Sequence, residues 1–249
     1  LFFMMGMGMF GQGFVGKLAF PSANVSDRLE KTFTSVNFNM MIMVIYALIT
    51  IAIFSMWYYA RYEGNFLPSP KKTFNPMMLA AIVILVPGTQ FAANFIANLT
   101  GYIRPDWLQQ YNELFETSGI TDTTFVTVLY SVILAPICEE LIFRGVTMRC
   151  ARKALPFALA NLMQAALFGL FHLNWIQGIY AFALGIVLGY VCECGGSIYY
   201  SIGLHLLFNL WGTLSGFFPD PGNSVVVSVI VIAVTIVSLT AGFVLFNKG

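Results

Sequence analysis

Apolar side chains dominate this chain of 249 residues: 58% of them are hydrophobic, 9% carry a charge, and the mean hydropathy is +0.79. No soluble domain of this length has that composition, so we expect a protein surrounded by lipid. The net charge of +1, from 12 Lys and Arg against 11 Asp and Glu, argues against nucleic acid as a partner, because neutralising phosphates requires clustered basic residues.

Eight hydrophobic segments follow one another along the chain, and most reach the roughly 20 residues that a membrane-spanning helix needs. They lie at about 1–16, 38–60, 77–99, 125–143, 155–173, 175–192, 197–218 and 224–246. The first is rich in Gly and Met, and the other seven are the firmer candidates. The sequence predicts an all-α, polytopic membrane helix bundle of about eight transmembrane helices, forming a single domain over 1–249.

The basic residues indicate how such a bundle is oriented. If all eight segments cross the membrane, eight Lys and Arg residues fall on one side and four on the other. The positive-inside rule then predicts a multi-pass protein of the cell (plasma) membrane with both termini in the cytoplasm. Segment 105–118 falls on the outer side, where its apolar stripe predicts an interfacial helix on the bilayer surface.

The cysteines and the common catalytic signatures give little support for other chemistry. No C-x-x-C pair occurs, and this topology places the cysteines at or near the cytoplasmic face, so we expect thiols rather than disulfides. The sequence also lacks the signatures of serine hydrolases, phosphate-binding loops and zincins. The four cysteines are Cys138, Cys150, Cys192 and Cys194.

Several ionisable and amide side chains lie inside the hydrophobic segments, where such groups are costly and normally face the bundle interior for a function. They form three short patterns: E139-E-L-I-F-R144, F168-G-L-F-H172 and H205-L-L-F-N209. The chain has only two histidines, and both belong to these patterns.

The two adjacent carboxylates of the first pattern differ in their surroundings. Arg144 follows Glu140 by four residues, so the two side chains share a helical face and can form an ion pair. Glu139 points about 100° away and has no cationic partner in its own segment. It must therefore find polar neighbours in the bundle or take up a proton, and such a carboxylate is suited to accept a proton from water.

Each histidine taken alone is more simply explained as a buried core residue than as a catalyst. Two histidines, an unpaired Glu and an inward Asn on separate helices favour a function, because each polar group in lipid carries its own penalty. A Glu and one histidine can deprotonate water, while the second histidine and the amide of Asn209 can donate to a developing oxyanion. The set indicates a water-activating centre within the membrane.

In their order along the chain, the three patterns resemble the E-E-x-x-x-R, F-x-x-x-H and H-x-x-x-N motifs of the CPBP family of intramembrane proteases. That family includes type II CAAX prenyl endopeptidases and bacteriocin-processing, Abi-like proteins. The resemblance covers a core at about 125–218 and implies an endopeptidase that hydrolyses peptide bonds of membrane-bound protein or peptide substrates. It implies Glu139 as general base, His172 as its partner in activating water, His205 and Asn209 as oxyanion donors, and Glu140, Arg144 and Phe168 as supporting residues.

Alternatives remain open for the cofactor and for the function. The family has been described as metal-dependent, but we expect no cofactor, since no two histidines lie four residues apart; the alternative is zinc on His172, His205 and Glu139. A non-catalytic scaffold, a regulator of a protein partner or a bacteriocin-immunity protein would share the fold. A proton-coupled transporter should show inverted repeats, which we do not find in the sequence.

The depth of the candidate residues conflicts with a single site. At 1.5 Å per residue, Glu139 and His205 lie roughly 9–12 Å from the cytoplasmic ends of their segments, and His172 about 24 Å. Segment 155–173 is then strongly tilted, or its helix begins outside the bilayer near Pro156, or the boundaries are misplaced. The short distances of Glu139 and His205 predict a site that opens to the cytoplasmic half of the membrane.

Overall fold

The computed structural model of the chain describes residues 36–62, 75–118, 124–215 and 224–249. Within these ranges the protein is an all-α bundle without β-strands, as the sequence predicts, whereas segment 1–16 lies outside the described residues. The helices are α1 (Val36–Tyr62), α2 (Pro76–Ile103), α3 (Pro105–Ser118), α4 (Phe125–Ala151), α5 (Phe157–Phe171), α6 (Trp175–Cys194), α7 (Ile198–Ser215) and α8 (Val225–Lys248).

Five of the described helices are long and apolar enough to cross a membrane, namely α1, α2, α4, α6 and α8. The protein is therefore an integral membrane protein, as its composition predicts. The apolar helix α5 has 15 residues. At 1.5 Å per residue it is about 22 Å long, which is less than the ~30 Å of a hydrocarbon core. The last residues of α5 therefore lie within the membrane if the helix begins at its surface.

Local sequence signals set several helix boundaries. α2 begins at Pro76, which fits the first helical position, and the side chain of Asn75 accepts hydrogen bonds from two backbone N–H groups of the first turn. Asn174 caps α6 in the same way. Leu173 has a φ of 53°, in the left-handed region that ends helices, and only residues 172–174 separate α5 from α6. The two helices therefore form an antiparallel hairpin, as their short connection predicts.

Small residues bring the two helices of this hairpin close together. A Cβ atom on Gly185 would lie 3.1 Å from the backbone of Ala165, and one on Gly189 would overlap the side chain of Asn161. A larger residue at either glycine would push α5 and α6 apart. The main apolar core lies beside the hairpin, between α2, α6, α7 and the end of α8, and includes Ala81, Leu85, Leu188, Val191, Leu204 and Phe246.

α4 departs from regular α-helical geometry in two places. The stretches Leu129–Leu134 and Leu141–Met148 are π-helical, and Ala135–Glu140 between them is α-helical. In a π-helix the backbone N–H bonds to the carbonyl five residues earlier, and such insertions occur frequently at functional sites. Helices α1, α5 and α7 all pack against α4. Side chains from several helices can therefore meet around its centre.

The predicted helix at 105–118 is present as α3 and packs against α2 and α6. Trp107 stacks on Trp175 at the start of α6, with ring centroids 5.3 Å apart, and the Arg104 guanidinium lies 4.3 Å from the centre of the Trp107 ring. These contacts fix α3 at the end of the bundle where the α5–α6 hairpin turns. Its position on a bilayer surface stays a prediction.

Candidate active site

The side chains of the three sequence patterns meet around the ring of Phe168 in α5. The centre of this ring lies 5.8 Å from that of His205 in α7 and 4.9 Å from that of His172. The guanidinium carbon of Arg144 in α4 lies 4.5 Å from the same ring. Phe168 therefore contacts residues from all three patterns, and α4, α5 and α7 together form one cluster.

Glu140 is the centre of a fully buried ionic network. Arg144 Nη1 donates to Glu140 Oε1 at 2.8 Å, as the four-residue spacing predicts, and both side chains are 0% exposed. His205 Nδ1 lies 2.9 Å from the same carboxylate oxygen. A carboxylate oxygen can only accept, so Nδ1 carries the proton in this bond. Glu140 thus holds α4 and α7 together and orients the imidazole of His205.

Arg144 is held in place from its other side by the α5–α6 hairpin. Its Nη2 donates to the carbonyl of Gly185 at 3.2 Å, and the fully buried Gln164 donates to the same oxygen at 2.8 Å. Gln164 also donates to the side chain of Asn161 at 2.7 Å. Gln164 lies outside the three sequence patterns, although an amide inside an apolar segment carries the same kind of penalty that marked the ionisable residues.

Glu139 lies next to this network but is more accessible. Its side chain is 15% exposed, and its Oε2 lies 3.6 Å from His205 Nε2, beyond hydrogen-bond reach but close enough for an ion pair. The two nitrogens of one imidazole thus face two different carboxylates, and an imidazolium makes both contacts favourable. The polar neighbour that Glu139 lacks in its own segment is supplied by α7.

His172 ends α5 and contacts the site through Phe168. Its Nδ1 lies 2.8 Å from the Phe168 carbonyl. Because a carbonyl accepts, the neutral ring carries its proton on Nδ1 and leaves Nε2 as an acceptor. Nε2 has no hydrogen-bond partner among the described residues, and no ion pair joins His172 to Glu139 there. His205, rather than His172, is the histidine in contact with Glu139.

The observed helix ends remove the difference in counted depth between Glu139 and His172. α4 continues to Ala151 instead of ending near 143, and α5 begins only after Pro156. Counted from these ends at 1.5 Å per residue, Glu139 lies roughly 18 Å and His172 roughly 22 Å along their helices. The boundary of α4 was therefore misplaced in the sequence analysis, and the two residues lie at similar depths.

Asn209 donates from Nδ2 to the backbone carbonyl of Ser131 at 2.8 Å. Ser131 lies in the first π-helical stretch of α4, where the Ala135 N–H already bonds to the carbonyl five residues earlier. By the same five-residue pattern, the Ser131 carbonyl would accept from the N–H of residue 136, but Pro136 has no N–H. The Asn209 amide replaces that donor, and the second N–H of its Nδ2 group can serve another acceptor.

The alternative zinc ligands do not assemble into a site. No group of three or more His, Cys, Asp or Glu side chains that could hold a metal ion occurs in the described part of the chain. Glu139, His172 and His205 therefore do not form such a set, and both ring nitrogens of His205 face carboxylate oxygens. The four cysteines, all of them described, form no disulfide.

A family model described as Type II CAAX prenyl endopeptidase Rce1-like matches residues 121–211, a little more than a third of the chain. The matched range contains all three sequence patterns and runs from the residues before α4 into α7. The match supports the resemblance to the CPBP family, because residues 121–211 are similar to type II CAAX prenyl endopeptidases. No curated protein and no solved structure matches the chain.

Proposed function

We propose that the protein is an endopeptidase that hydrolyses peptide bonds of membrane-bound proteins or peptides with a water molecule activated by Glu139. The observation that carries the proposal is the pair of carboxylates around His205. Glu140 is buried and paired with Arg144, whereas Glu139 is partly exposed and has only the longer contact with His205. Of the two carboxylates, Glu139 is thus the one that water can reach.

Glu139 would act first as a base and then as an acid. It takes a proton from water, and the hydroxide that forms attacks the carbonyl carbon of the scissile peptide bond. The proton then passes to the leaving nitrogen as the C–N bond breaks, which returns Glu139 to the carboxylate. His172 offers its Nε2 as a second acceptor that can orient the water, and its bond to the Phe168 carbonyl fixes this tautomer.

His205 and Asn209 would stabilise the oxyanion of the tetrahedral intermediate. The bond from Nδ1 to Glu140 fixes the ring, so that a proton on Nε2 points towards the side where Glu139 lies. The second Nδ2 hydrogen of Asn209, not used by Ser131, is the other donor. Donors fixed before the reaction stabilise developing charge most in a site that excludes water.

Asn209→Ala is expected to lower kcat about 10²- to 10³-fold with little change in KM, because an oxyanion donor acts mainly in the transition state. Steady-state cleavage of a peptide substrate measures this effect. Thr213→Ala is the matched control, since it removes only the hydroxyl bond to the Asn209 backbone carbonyl. If Asn209→Ala keeps wild-type turnover, Asn209 is not an oxyanion donor. Its role would then be the structural bond to the Ser131 carbonyl.

Purified protein in lipid vesicles, supplied with membrane-tethered peptides, tests the proposed activity directly. Cleavage that produces two fragments supports the protease, and the fragments identify the bond. Intact peptides across a varied set would instead favour a scaffold, a regulator of a protein partner or an immunity protein with the same fold. The assay with and without added zinc also determines whether a metal contributes.

We also propose that both termini are cytoplasmic and that the protein lies in the plasma membrane. Cys194, exposed at the end of α6, and Gln110, exposed on α3, lie at opposite ends of the bundle and report the orientation. In cysteine-free backgrounds, a membrane-impermeant thiol reagent on intact cells should label Gln110→Cys but not Cys194. In lysed cells the reagent should label both cysteines. Labelling of Cys194 but not of Gln110→Cys on intact cells would show the opposite orientation.

A further inference from the structure

The face of α7 that carries the candidate site continues beyond it. His205, Asn209 and Gly212 follow one another at spacings of four and three residues, which places them on one helical stripe. Gly212 is exposed, and a Cβ atom there would meet one atom of another helix within 4.0 Å, Nε2 of Gln90 in α2. Among the described residues, the stripe thus leads from the candidate site to a position beside the Gln90 amide that no other side chain fills.

Gln90 has an unmet hydrogen-bonding requirement. Gln90 is 7% exposed and lies in a helix that can cross the membrane, and its Oε1 has no hydrogen-bond partner among the described residues. Its Nε2 donates to Asn94 Oδ1, one turn further along α2, at 3.3 Å. A buried acceptor without a donor is costly where neither protein nor water supplies one, so Gln90 requires an explanation.

The bond between the two amides of α2 leaves an acceptor on Gln90 and donors on Asn94 without a partner among the described residues. Their mutual bond uses an N–H of Gln90 and the oxygen of Asn94, which leaves Gln90 Oε1 to accept and Asn94 Nδ2 to donate. A peptide group offers the complementary N–H donor and C=O acceptor, whereas lipid chains offer neither. An extended peptide backbone is thus the ligand that this pair fits, as in other modes of main-chain recognition.

We propose that Gln90 and Asn94 form a subsite for the backbone of the substrate, on the side of the scissile bond that lies along α7 towards Gly212. The proposal rests on the proposed function and adds the element that holds the peptide. Asn209 and Gly212 are three residues apart, about 4.5 Å along the helix, which an extended chain covers with one or two residues. The absence of a side chain at Gly212 leaves room for that chain.

A subsite of this kind recognises the main chain and is indifferent to the substrate's side chains. It therefore predicts sensitivity to a single backbone N–H of the substrate. Gln90→Leu removes the acceptor at similar volume and should raise KM about five- to tenfold, the effect of one hydrogen bond, with kcat nearly unchanged. Asn94→Leu, on an exposed position that tolerates substitution, should raise KM by a similar factor.

Substrates with one N-methylated peptide group each test whether the acceptor binds the backbone. One N-methyl position should raise the wild-type KM as much as Gln90→Leu does and have no further effect on that variant, so the two changes are not additive. Thr89→Val is the matched control, because the Thr89 hydroxyl bonds only to carbonyls of its own helix. It should keep the wild-type response to every N-methyl substrate.

The outcomes separate the subsite from the activity itself. If the wild type cleaves peptides but Gln90→Leu and Asn94→Leu keep its KM, the subsite is wrong and the proposed function stands. If Gln90→Leu and every N-methyl position combine additively, Gln90 has only a structural role and the subsite is again wrong. If the wild type cleaves no peptide, the proposed function fails and the subsite fails with it.

Discussion

Replacing Glu139 by glutamine is expected to lower peptide cleavage about 10³-fold or more and to leave the fold intact, since glutamine matches the shape of glutamate but cannot accept a proton from water. The fold should survive because Glu139 is partly exposed and its nearest ionic contact, with His205, is 3.6 Å long. Rates of cleavage by purified protein, together with thermal unfolding in detergent, measure both parts of this expectation.

A matched substitution shows whether the effect is specific to this carboxylate. Glu193 in α6 forms an ion pair with Arg152 at 3.0 Å, with both side chains about one-third exposed. Glu193→Gln makes the same chemical change at a site remote from His205 and should keep wild-type turnover. Full activity in Glu139→Gln, with an inactive but folded Glu140→Gln, would transfer the role of base to Glu140.

The second large effect is expected on stability rather than on chemistry. Glu140→Gln leaves the 0% exposed guanidinium of Arg144 without its carboxylate, and Arg144→Met leaves Glu140 with His205 as its cationic partner. Breaking a buried ion pair from one side typically costs about 3–5 kcal/mol. We therefore expect both single variants to unfold at markedly lower temperature or to accumulate poorly, as thermal unfolding of purified protein would measure.

The double variant separates the ion pair from the individual side chains. Glu140→Gln combined with Arg144→Met removes both charges together, so it should be more stable than the sum of the two single effects predicts. The Arg152–Glu193 pair provides the contrast, because removing an exposed pair costs about 1 kcal/mol or less. Wild-type melting of both buried single variants would show that the Glu140–Arg144 pair does not stabilise the fold.

The sequence predicted the helices well, because lipid penalises unpaired backbone groups and polar side chains along a whole segment. The three patterns that it singled out lie close together, since Arg144, His172 and His205 all contact Phe168. The catalytic roles assigned to these patterns stay predictions. Hydropathy failed at the C-terminal end of α4, where basic residues begin at Arg144 although the helix continues to Ala151. Hydropathy shows whether a segment prefers lipid or water. Where the helix ends depends instead on its backbone hydrogen bonds.

The contacts between helices were beyond the reach of the sequence. The two contacts of His205, with Glu139 and Glu140, depend on how α7 is rotated against α4. The π-helical stretches depend on such contacts too, since Asn209 supplies the donor that Pro136 lacks. Pro136 in the middle of an apolar segment was the available signal for that irregularity.

The most direct measurement is hydrolysis of a membrane-tethered peptide in water enriched in ¹⁸O, by wild-type protein and Glu139→Gln in matched vesicles. The proposed mechanism predicts that the wild type releases two fragments and places one ¹⁸O atom in the new carboxylate, while Glu139→Gln leaves the peptide intact over the same period. Equal cleavage by both proteins, or no cleavage by the wild type across a varied peptide set, would contradict it.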